Sequence, residues 1–80
     1  MHKNNLPMEE FLLEKIEEIA FETVSKNDSL WESRVLDSIT IVELAVEIET
    51  EYGIKIGFDE IIVENFETVE KLINFVKSKQ

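Results

Sequence analysis

Apolar residues recur at helical spacing in three parts of the 80-residue chain, and the first part lies near the N-terminus. Its apolar positions are Leu12, Ile16, Ile19, Ala20 and Val24. The positions around them are acidic and include Glu14, Glu17, Glu18 and Glu22. This arrangement predicts an amphipathic helix from near Pro7 to near Ser25. Pro7 suits a first helical turn because its fixed backbone angle is already helical.

The second helix is predicted from about Ser38 to Tyr52. We expect Asp37 to act as its N-cap, because a carboxylate can accept hydrogen bonds from the unpaired amides of a first turn. Gly53 supplies the stop, since a helix often ends at a glycine. One face of this helix has the usual apolar spacing for packing on a bundle, and its residues are Ile41, Leu44, Ala45, Ile48 and Tyr52.

A second apolar set lies on a different side of the same helix. Ile39, Val42 and Val46 follow steps of three and four residues. Glu43 and Glu47 lie between them. An apolar strip with acids at its rim suits protein docking, because the apolar contacts supply affinity and the charges set orientation and encounter rate. The alternative is a small bundle that buries this helix on two sides.

A long loop is predicted between the first two helices. Residues 26–29 have the composition of a turn, and the chain from there to the second helix has no clear period. We expect the apolar residues of this segment to hold the loop to the core, and they are Leu30, Trp31, Val35 and Leu36.

Two further helical pieces follow the second helix. Residues 54–56 alternate in an extended manner, and residues 58–64 are predicted to form a short helical turn. Thr68 is the expected cap of the last helix. The apolar face of that helix is Val69, Leu72, Ile73 and Val76, with Lys77 and Lys79 at its negative end. Together these elements predict an all-α fold, a four-helix bundle with three longer helices, one short helix and a long first loop.

Composition indicates one domain. The chain has two glycines, one proline and no visible repeat or linker, so we place a single domain at residues 7–80 after a disordered tail at residues 1–6. Cysteine is absent, which leaves no sign of an oxidising compartment, and we expect a cytoplasmic protein. The longest apolar runs are only a few residues long, so no membrane insertion is predicted.

The charge balance is strongly negative, with 18 acids, 8 lysines plus arginines and a formal net charge of -10. Such a field repels nucleic acid and anionic lipid and attracts basic protein partners, although it also keeps a small domain soluble. No Lys or Arg occurs between Val35 and Ile54. We therefore predict that the acids of this window form a binding surface instead of an ion-pair network, and they are Asp37, Glu43, Glu47, Glu49 and Glu51.

Ser38 is the candidate functional residue. It follows the expected cap, where free backbone amides and the helix dipole favour a negatively charged group, such as a phosphodiester, on its hydroxyl. A serine at a helix start is, by itself, usually only a cap. The only histidine is His2, in the predicted tail, so an enzyme that uses a serine nucleophile would lack a general base. We predict no catalytic residue, and no metal site because no EF-hand loop is present.

The surrounding sequence resembles the attachment region of acyl carrier proteins and the related peptidyl and D-alanyl carrier domains. The similar segments are Leu36-Asp37-Ser38-Ile39, then Val42-Glu43-Leu44, then Glu51-Tyr52-Gly53-Ile54. In that family Asp-Ser is followed by Leu, Ile or Met and by an acidic helix that closes with Glu, an aromatic residue and often Gly. The resemblance covers nearly the whole chain and implies the acyl-carrier type of helical bundle.

The resemblance implies a role for each matching residue. Ser38 would be the site at which a phosphopantetheinyl transferase attaches 4′-phosphopantetheine, whose thiol holds an acyl or aminoacyl group as a thioester, and Asp37 would assist recognition by the transferase. The surface that partner enzymes read would comprise Ile39, Val42, Glu43, Val46, Glu47 and Ile56. The further expected partners are an acyl- or aminoacyl-activating ligase and enzymes that process or accept the acyl group. We expect a monomer without enzymatic activity.

Two departures from the family pattern concern the cargo. Val35 stands where many members have Gly, and Thr40 stands where fatty-acid carriers often have an acid. The Val-Leu-Asp-Ser-Ile form is more similar to D-alanyl carriers than to fatty-acid carriers. Our first interpretation is an acyl carrier protein of fatty acid biosynthesis, and the alternative is an aminoacyl, D-alanyl or peptidyl carrier. A helical protein-interaction domain without a prosthetic group is the remaining alternative, since it would not need a hydroxyl at position 38.

Overall fold

Four α-helices and one 3-10 turn form the part of the chain that the computed structural model describes, residues 6–33 and 35–80. The helices are α1 (Leu6–Ala20), α2 (Thr40–Tyr52), α3 (Val63–Phe66) and α4 (Val69–Lys79). The 3-10 turn spans Phe58–Glu60, and no strand occurs in the described ranges. The predicted all-α fold with three longer helices and one short helix is confirmed. Residues 1–5 of the predicted tail at residues 1–6 lie outside the described part, and Leu6 is the first residue of α1.

The core lies where α1 packs on α2 and α4, and α3 packs on α4. Its fully enclosed side chains come from every α-helix and from the long first loop, and the largest are Phe66, Leu12, Ile16, Leu30, Leu44, Ile48, Leu72, Val69 and Val76. At the edge of the core, Phe11 of α1 meets Tyr52 of α2 edge to face at 5.6 Å between ring centroids. None of the described helices is both long enough and apolar enough to cross a membrane.

Helix α1 ends five residues before the predicted end near Ser25. Phe21 has a left-handed backbone with φ of 59°, and its amide donates to the Glu17 carbonyl at 2.9 Å, which closes the helix after Ala20. A bulky residue rarely adopts this conformation, so the sequence gives no sign of the stop. Val24 still packs against the core, but from the loop.

The first loop is held to the core by three of the four residues predicted for this role. Leu30 and Leu36 are buried, and the Leu30 amide donates to the Glu67 carbonyl at 2.7 Å. Val35 is half-buried. The prediction was wrong for Trp31, whose side chain is 38% exposed.

The ends of α2 and α4 follow the sequence signals. Gly53 ends α2 with φ of 65° and donates its amide to the Glu49 carbonyl at 2.8 Å, as predicted. The side chain of Thr68 accepts from the Lys71 amide at 3.1 Å and caps α4. The predicted apolar face of α4 is buried together with Phe75, which the prediction did not include.

The segment between α2 and α4 is tied to both of those helices. After residues 54–57, which have no regular secondary structure, the predicted turn at residues 58–64 divides into the 3-10 turn and α3. The Ile56 amide donates to Glu49 Oε2 of α2 at 2.6 Å. Lys79 Nζ of α4 donates to both carboxylate oxygens of Glu60, at 3.0 and 2.8 Å. The pKa of Glu60 lies below its usual value, first because Lys79 donates to the carboxylate and next because the Gly57 amide does.

The Glu60 contacts predict a pH dependence of stability. A carboxyl whose pKa falls on folding stabilises the native state above its unfolded pKa, and this contribution disappears as the pH falls through the folded pKa. We expect Glu60→Gln to lower Tm by a few degrees at neutral pH, and the gap from the parent protein to close below the ordinary pKa of 4.5. Thermal unfolding followed by circular dichroism over a pH series measures the gap.

Glu64→Gln is the matched control, because Glu64 is an exposed acid on α3 and no hydrogen bond or ion pair joins its side chain to residues 6–33 or 35–80. We expect its Tm to follow that of the parent throughout. A gap for Glu60→Gln that stays constant down to acid pH would contradict a stabilising role for the ionised carboxylate.

Candidate functional site

Asp37 and Thr40 form a reciprocal pair of hydrogen bonds at the start of α2. Asp37 Oδ1 accepts from the amides of Ile39 and Thr40, at 2.9 and 2.8 Å. In return, the Asp37 amide donates to Thr40 Oγ1 at 2.8 Å. The Asp37 carbonyl accepts the first helical bond, from the Ile41 amide at 3.0 Å. This is the geometry of a capping box, and it confirms the predicted capping by Asp37.

The same contacts favour the ionised form of the Asp37 carboxyl. The pKa of Asp37 lies below its usual value, chiefly because the Thr40 amide donates to it, and further because the Ile39 amide and the Thr40 hydroxyl do. Hydrogen bonds that form only with the charged carboxylate favour that form. Thr40, which departs from the acid common in fatty-acid carriers, therefore has a structural function in this turn.

Ser38 lies inside this capped turn, with its side chain exposed. The first residue of α2 is Thr40, two residues later than predicted, because the bonds to Asp37 shape residues 38 and 39 as a turn. No hydrogen bond joins the Ser38 side chain to any residue in the ranges 6–33 and 35–80. The hydroxyl is thus open toward solvent and held next to the positive end of a 13-residue helix.

One expectation about this helix end was wrong. We expected free amides of the first turn to meet the phosphate on Ser38, but the amides of Ile39 and Thr40 donate to Asp37. The remaining features still fit a phosphate-linked group, because the hydroxyl is exposed and unbonded and the helix dipole favours a negative charge. The suitability of Ser38 for a phosphate-linked group therefore depends on the open turn and the helix dipole, and the amides of Ile39 and Thr40 do not contribute to it.

An apolar cleft of about 530 Å³ opens beside Ser38. Its lining residues in the described part of the chain are Trp31, Leu36, Asp37, Ser38, Ile41 and Ile61. They come from the first loop, the capped turn, α2 and the segment before α3. The turn that presents the hydroxyl is therefore one wall of a cleft whose other walls are apolar.

The second apolar face of α2 is partly open to solvent. Ile39 is 69% exposed and Val46 is 52% exposed, whereas Val42 is half-buried. Burial of the helix on two sides, the alternative we considered, is thus wrong for the two ends of this strip. Ile56, which is half-buried, joins Val42 and Val46 around a shallow groove of about 150 Å³.

The acids near this strip have different surroundings. Glu43 is exposed and forms no ion pair with residues 6–33 or 35–80. Glu47 lies 3.4 Å from Lys15 Nζ of α1, and Glu49 accepts from the Ile56 amide. Our expectation of a face without countercharges was therefore wrong at Glu47, because an adjacent helix supplies a lysine that the local sequence window does not contain.

Sequence reasoning assigned no functional role to Phe58, Trp31 or Ile61. Phe58 is 81% exposed and lies at the rim of the groove beside Val42 and Val46. Trp31 and Ile61 line the cleft at Ser38. The sequence did contain a sign of this exposure, because Phe58 follows Gly57 in a short turn, where a large apolar side chain has little core to pack against. Nothing in the sequence brings residues 31 and 61 together.

A metal site is not supported within the described ranges. No group of three or more His, Asp or Glu side chains there could hold a metal ion. His2, which we considered as a general base, lies outside the described residues.

Removal of the cap should weaken α2 at its start. We expect Asp37→Ala to lower Tm by about 4–8 °C, the usual effect of a lost cap in a domain of this size. Amide hydrogen exchange at residues 39 and 40 should accelerate because both amides lose their acceptor. Glu43→Ala, which removes an exposed acid from the same turn of α2, is the control and should change neither quantity. Equal Tm and exchange in Asp37→Ala and the parent would rule out this capping role.

Comparison with known proteins identifies the family. Residues 10–76 match the family model described as phosphopantetheine attachment site. A D-alanyl carrier protein of Streptococcus uberis (strain ATCC BAA-854 / 0140J) is 35% identical over 77 residues, which cover 94% of this chain and 98% of that protein. D-alanyl carrier proteins of Streptococcus pyogenes serotype M5 (strain Manfredo) and serotype M1 are each 32% identical over the same length, with the same coverage.

The match includes the capped turn and the helices on either side of it. The cofactor of this protein is covalently attached 4′-phosphopantetheine, and the protein is a carrier and not an enzyme. The chain belongs to the family of carrier proteins that have a phosphopantetheine attachment site.

Proposed function

We propose that this chain is an aminoacyl carrier of the D-alanyl type, with 4′-phosphopantetheine attached to Ser38. The relatives named above are D-alanyl carrier proteins that align over nearly their whole length. The Val-Leu-Asp-Ser-Ile sequence also favours this class. These observations support the aminoacyl alternative better than our first interpretation, an acyl carrier of fatty acid biosynthesis.

The single observation that carries the assignment of Ser38 is its open hydroxyl in a turn of fixed shape. Three other serines of the described chain, Ser29, Ser33 and Ser78, are engaged in local hydrogen bonds, whereas the exposed Ser25 side chain also has none in the described ranges but lies outside the capped turn. Ser29 Oγ accepts from the Glu32 amide at 3.1 Å, and Ser78 Oγ donates to the Phe75 carbonyl at 2.6 Å. The Ser33 hydroxyl donates to the Ser29 carbonyl. A modifying enzyme would have to break these bonds, whereas Ser38 has none to residues in the described ranges.

The chain and its prosthetic group have separate tasks in this proposal. When attached, 4′-phosphopantetheine supplies the thiol that holds the cargo as a thioester. Ser38 supplies the anchoring oxygen, and the Asp37 and Thr40 side chains hold its turn in one shape while the transferase approaches. No general base of this chain is needed for these tasks.

The strip along α2 is the proposed docking surface for partner enzymes. It comprises Ile39, Val42, Glu43, Val46, Glu47 and Ile56, and we add Phe58 because of its exposure. Family membership implies transferases and ligases as partners in general. We propose that these are a phosphopantetheinyl transferase, an aminoacyl-activating ligase and an enzyme that accepts the aminoacyl group. The single domain at residues 7–80, the monomeric state and the cytoplasmic location stay predictions.

A two-step loading assay tests the attachment and the cargo. In the first step, coenzyme A and a broad-specificity phosphopantetheinyl transferase should add the mass of the arm to the parent protein and not to Ser38→Ala. In the second step, a D-alanine-activating ligase with ATP and D-alanine should charge the arm, whereas a fatty-acid-activating ligase should not. Intact-mass spectrometry follows both steps.

Each step of the loading assay has its own contradicting result. No added mass under conditions that load a known carrier would favour the interaction domain without a prosthetic group. If the arm is attached and then charged with a fatty acyl group but not with D-alanine, the protein would instead be assigned as an acyl carrier.

A charge reversal on the docking surface should slow loading. We expect Glu43→Lys to lower kcat/KM of the transferase by roughly tenfold at low salt, because an acidic surface steers a basic partner. The gap should narrow as salt increases. Glu17→Lys, on the exposed side of α1, makes the same change in net charge and is the control. Glu47 is left unchanged in this test because of its contact with Lys15. Equal rates for the two variants would show that net charge alone matters.

A further inference from the structure

The cleft beside Ser38 has a use that the attachment of the arm does not by itself require. Ser38 and Asp37 are its polar lining residues in the described ranges, and the apolar ones there are Trp31, Leu36, Ile41 and Ile61. Its volume of about 530 Å³ lies within the range of roughly 300–1,000 Å³ that is typical of small-molecule clefts. A group anchored on Ser38 would therefore start at the rim of an apolar cleft of suitable size.

The chemistry of the arm varies along its length. Next to the phosphate is a carbon that bears two methyl groups, and beyond it are a hydroxyl, two amides and the thiol. The dimethyl segment is the most apolar part of the arm and the part that its covalent anchor keeps nearest to Ser38. Because the tether makes this contact intramolecular, a modest gain from burying apolar surface is enough to populate it.

The walls of the cleft are fixed before any arm is present. Leu36 and Ile41 are buried in the core and form the floor. The Ile61 amide donates to the Phe58 carbonyl at 3.1 Å, and the ion pair between Glu60 and Lys79 holds the preceding residue to α4. Trp31 directly follows Leu30, which is fully buried. A preformed wall lowers the entropic cost of holding a flexible chain.

We propose that this cleft holds the dimethyl segment of the arm against Trp31 and Ile61, so that the arm of the uncharged carrier lies on the bundle between encounters with enzymes. The inference rests on the proposed attachment to Ser38. The occupant is the arm itself and not the cargo. The amides and the thiol come after the dimethyl segment along the arm, so a cargo on the thiol lies farther from Ser38 than the segment in the cleft. A small polar cargo such as an amino acid would remain outside.

Trp31 reports on the cleft because it is the only tryptophan in the chain. We expect its acrylamide quenching constant to fall roughly twofold when the apo protein is converted to the uncharged holo protein, because the segment covers about half of the exposed ring surface. Intact mass on the same samples establishes that the arm is attached. Ser38→Ala, treated identically, should show no change in quenching.

A pair of variants locates the contact. Ile61→Ser should reduce the protection of Trp31 in the holo protein, because it replaces an apolar wall by a polar side chain. Ile62→Ser is the matched control, since Ile62 is exposed and lies outside the cleft lining. Circular dichroism establishes that both variants retain the helical fold, and we expect both to accept the arm.

The outcomes separate this inference from the proposed function. Attached arm with unchanged quenching of Trp31 would overturn the cleft proposal and leave the attachment to Ser38 standing. Protection that arises only after D-alanine is loaded would also overturn it, in favour of the cargo as occupant. Equal protection in the holo forms of Ile61→Ser and Ile62→Ser would place the contact elsewhere. No added mass would remove the proposed function and this inference together.

Discussion

Hydrogen bonds between Asp37 and Thr40 hold residues 37–40 in one turn, and the placement of Ser38 follows from them. A serine at the start of an ordinary helix would use its own hydroxyl to cap the first turn. Here the carboxylate of the preceding residue takes that task, and the threonine completes it. The Ser38 hydroxyl is left without a hydrogen bond to the described residues, as the proposed modification requires.

This division of tasks extends to the surroundings of the turn. The turn, which includes the exposed Ile39, is joined to α2, which is anchored by Leu44 and Ile48 in the core and exposes Val46. The proposed attachment point therefore lies directly before the helix that carries most of the proposed docking surface. In the proposed function, an enzyme that binds this surface would find Ser38 at a fixed distance and direction, and the arm attached there would supply the flexibility that cargo transfer needs.

The sequence predicted those features that depend on neighbours along the chain. The cap at Asp37, the stop at Gly53 and the cap at Thr68 each rest on local backbone chemistry, and all three are present. The end of α1 was wrong because Phe21 adopts a backbone conformation unfavourable for its type. The partner of Glu47 was missed because Lys15 is distant along the chain. The exposure of Trp31 was missed for the same reason, because it depends on packing between segments that are distant along the chain.

The most direct test of the central claim is to locate the attached group within the chain. Trypsin cleavage after Arg34 and Lys55 gives a peptide of residues 35–55 whose only serine is Ser38, while Ser29 and Ser33 fall in the peptide before it. After treatment with coenzyme A and a phosphopantetheinyl transferase, tandem mass spectrometry should find the whole added mass on Ser38. Added mass on the preceding peptide would contradict the account, because the serine that the capped turn leaves free would then not be the one modified.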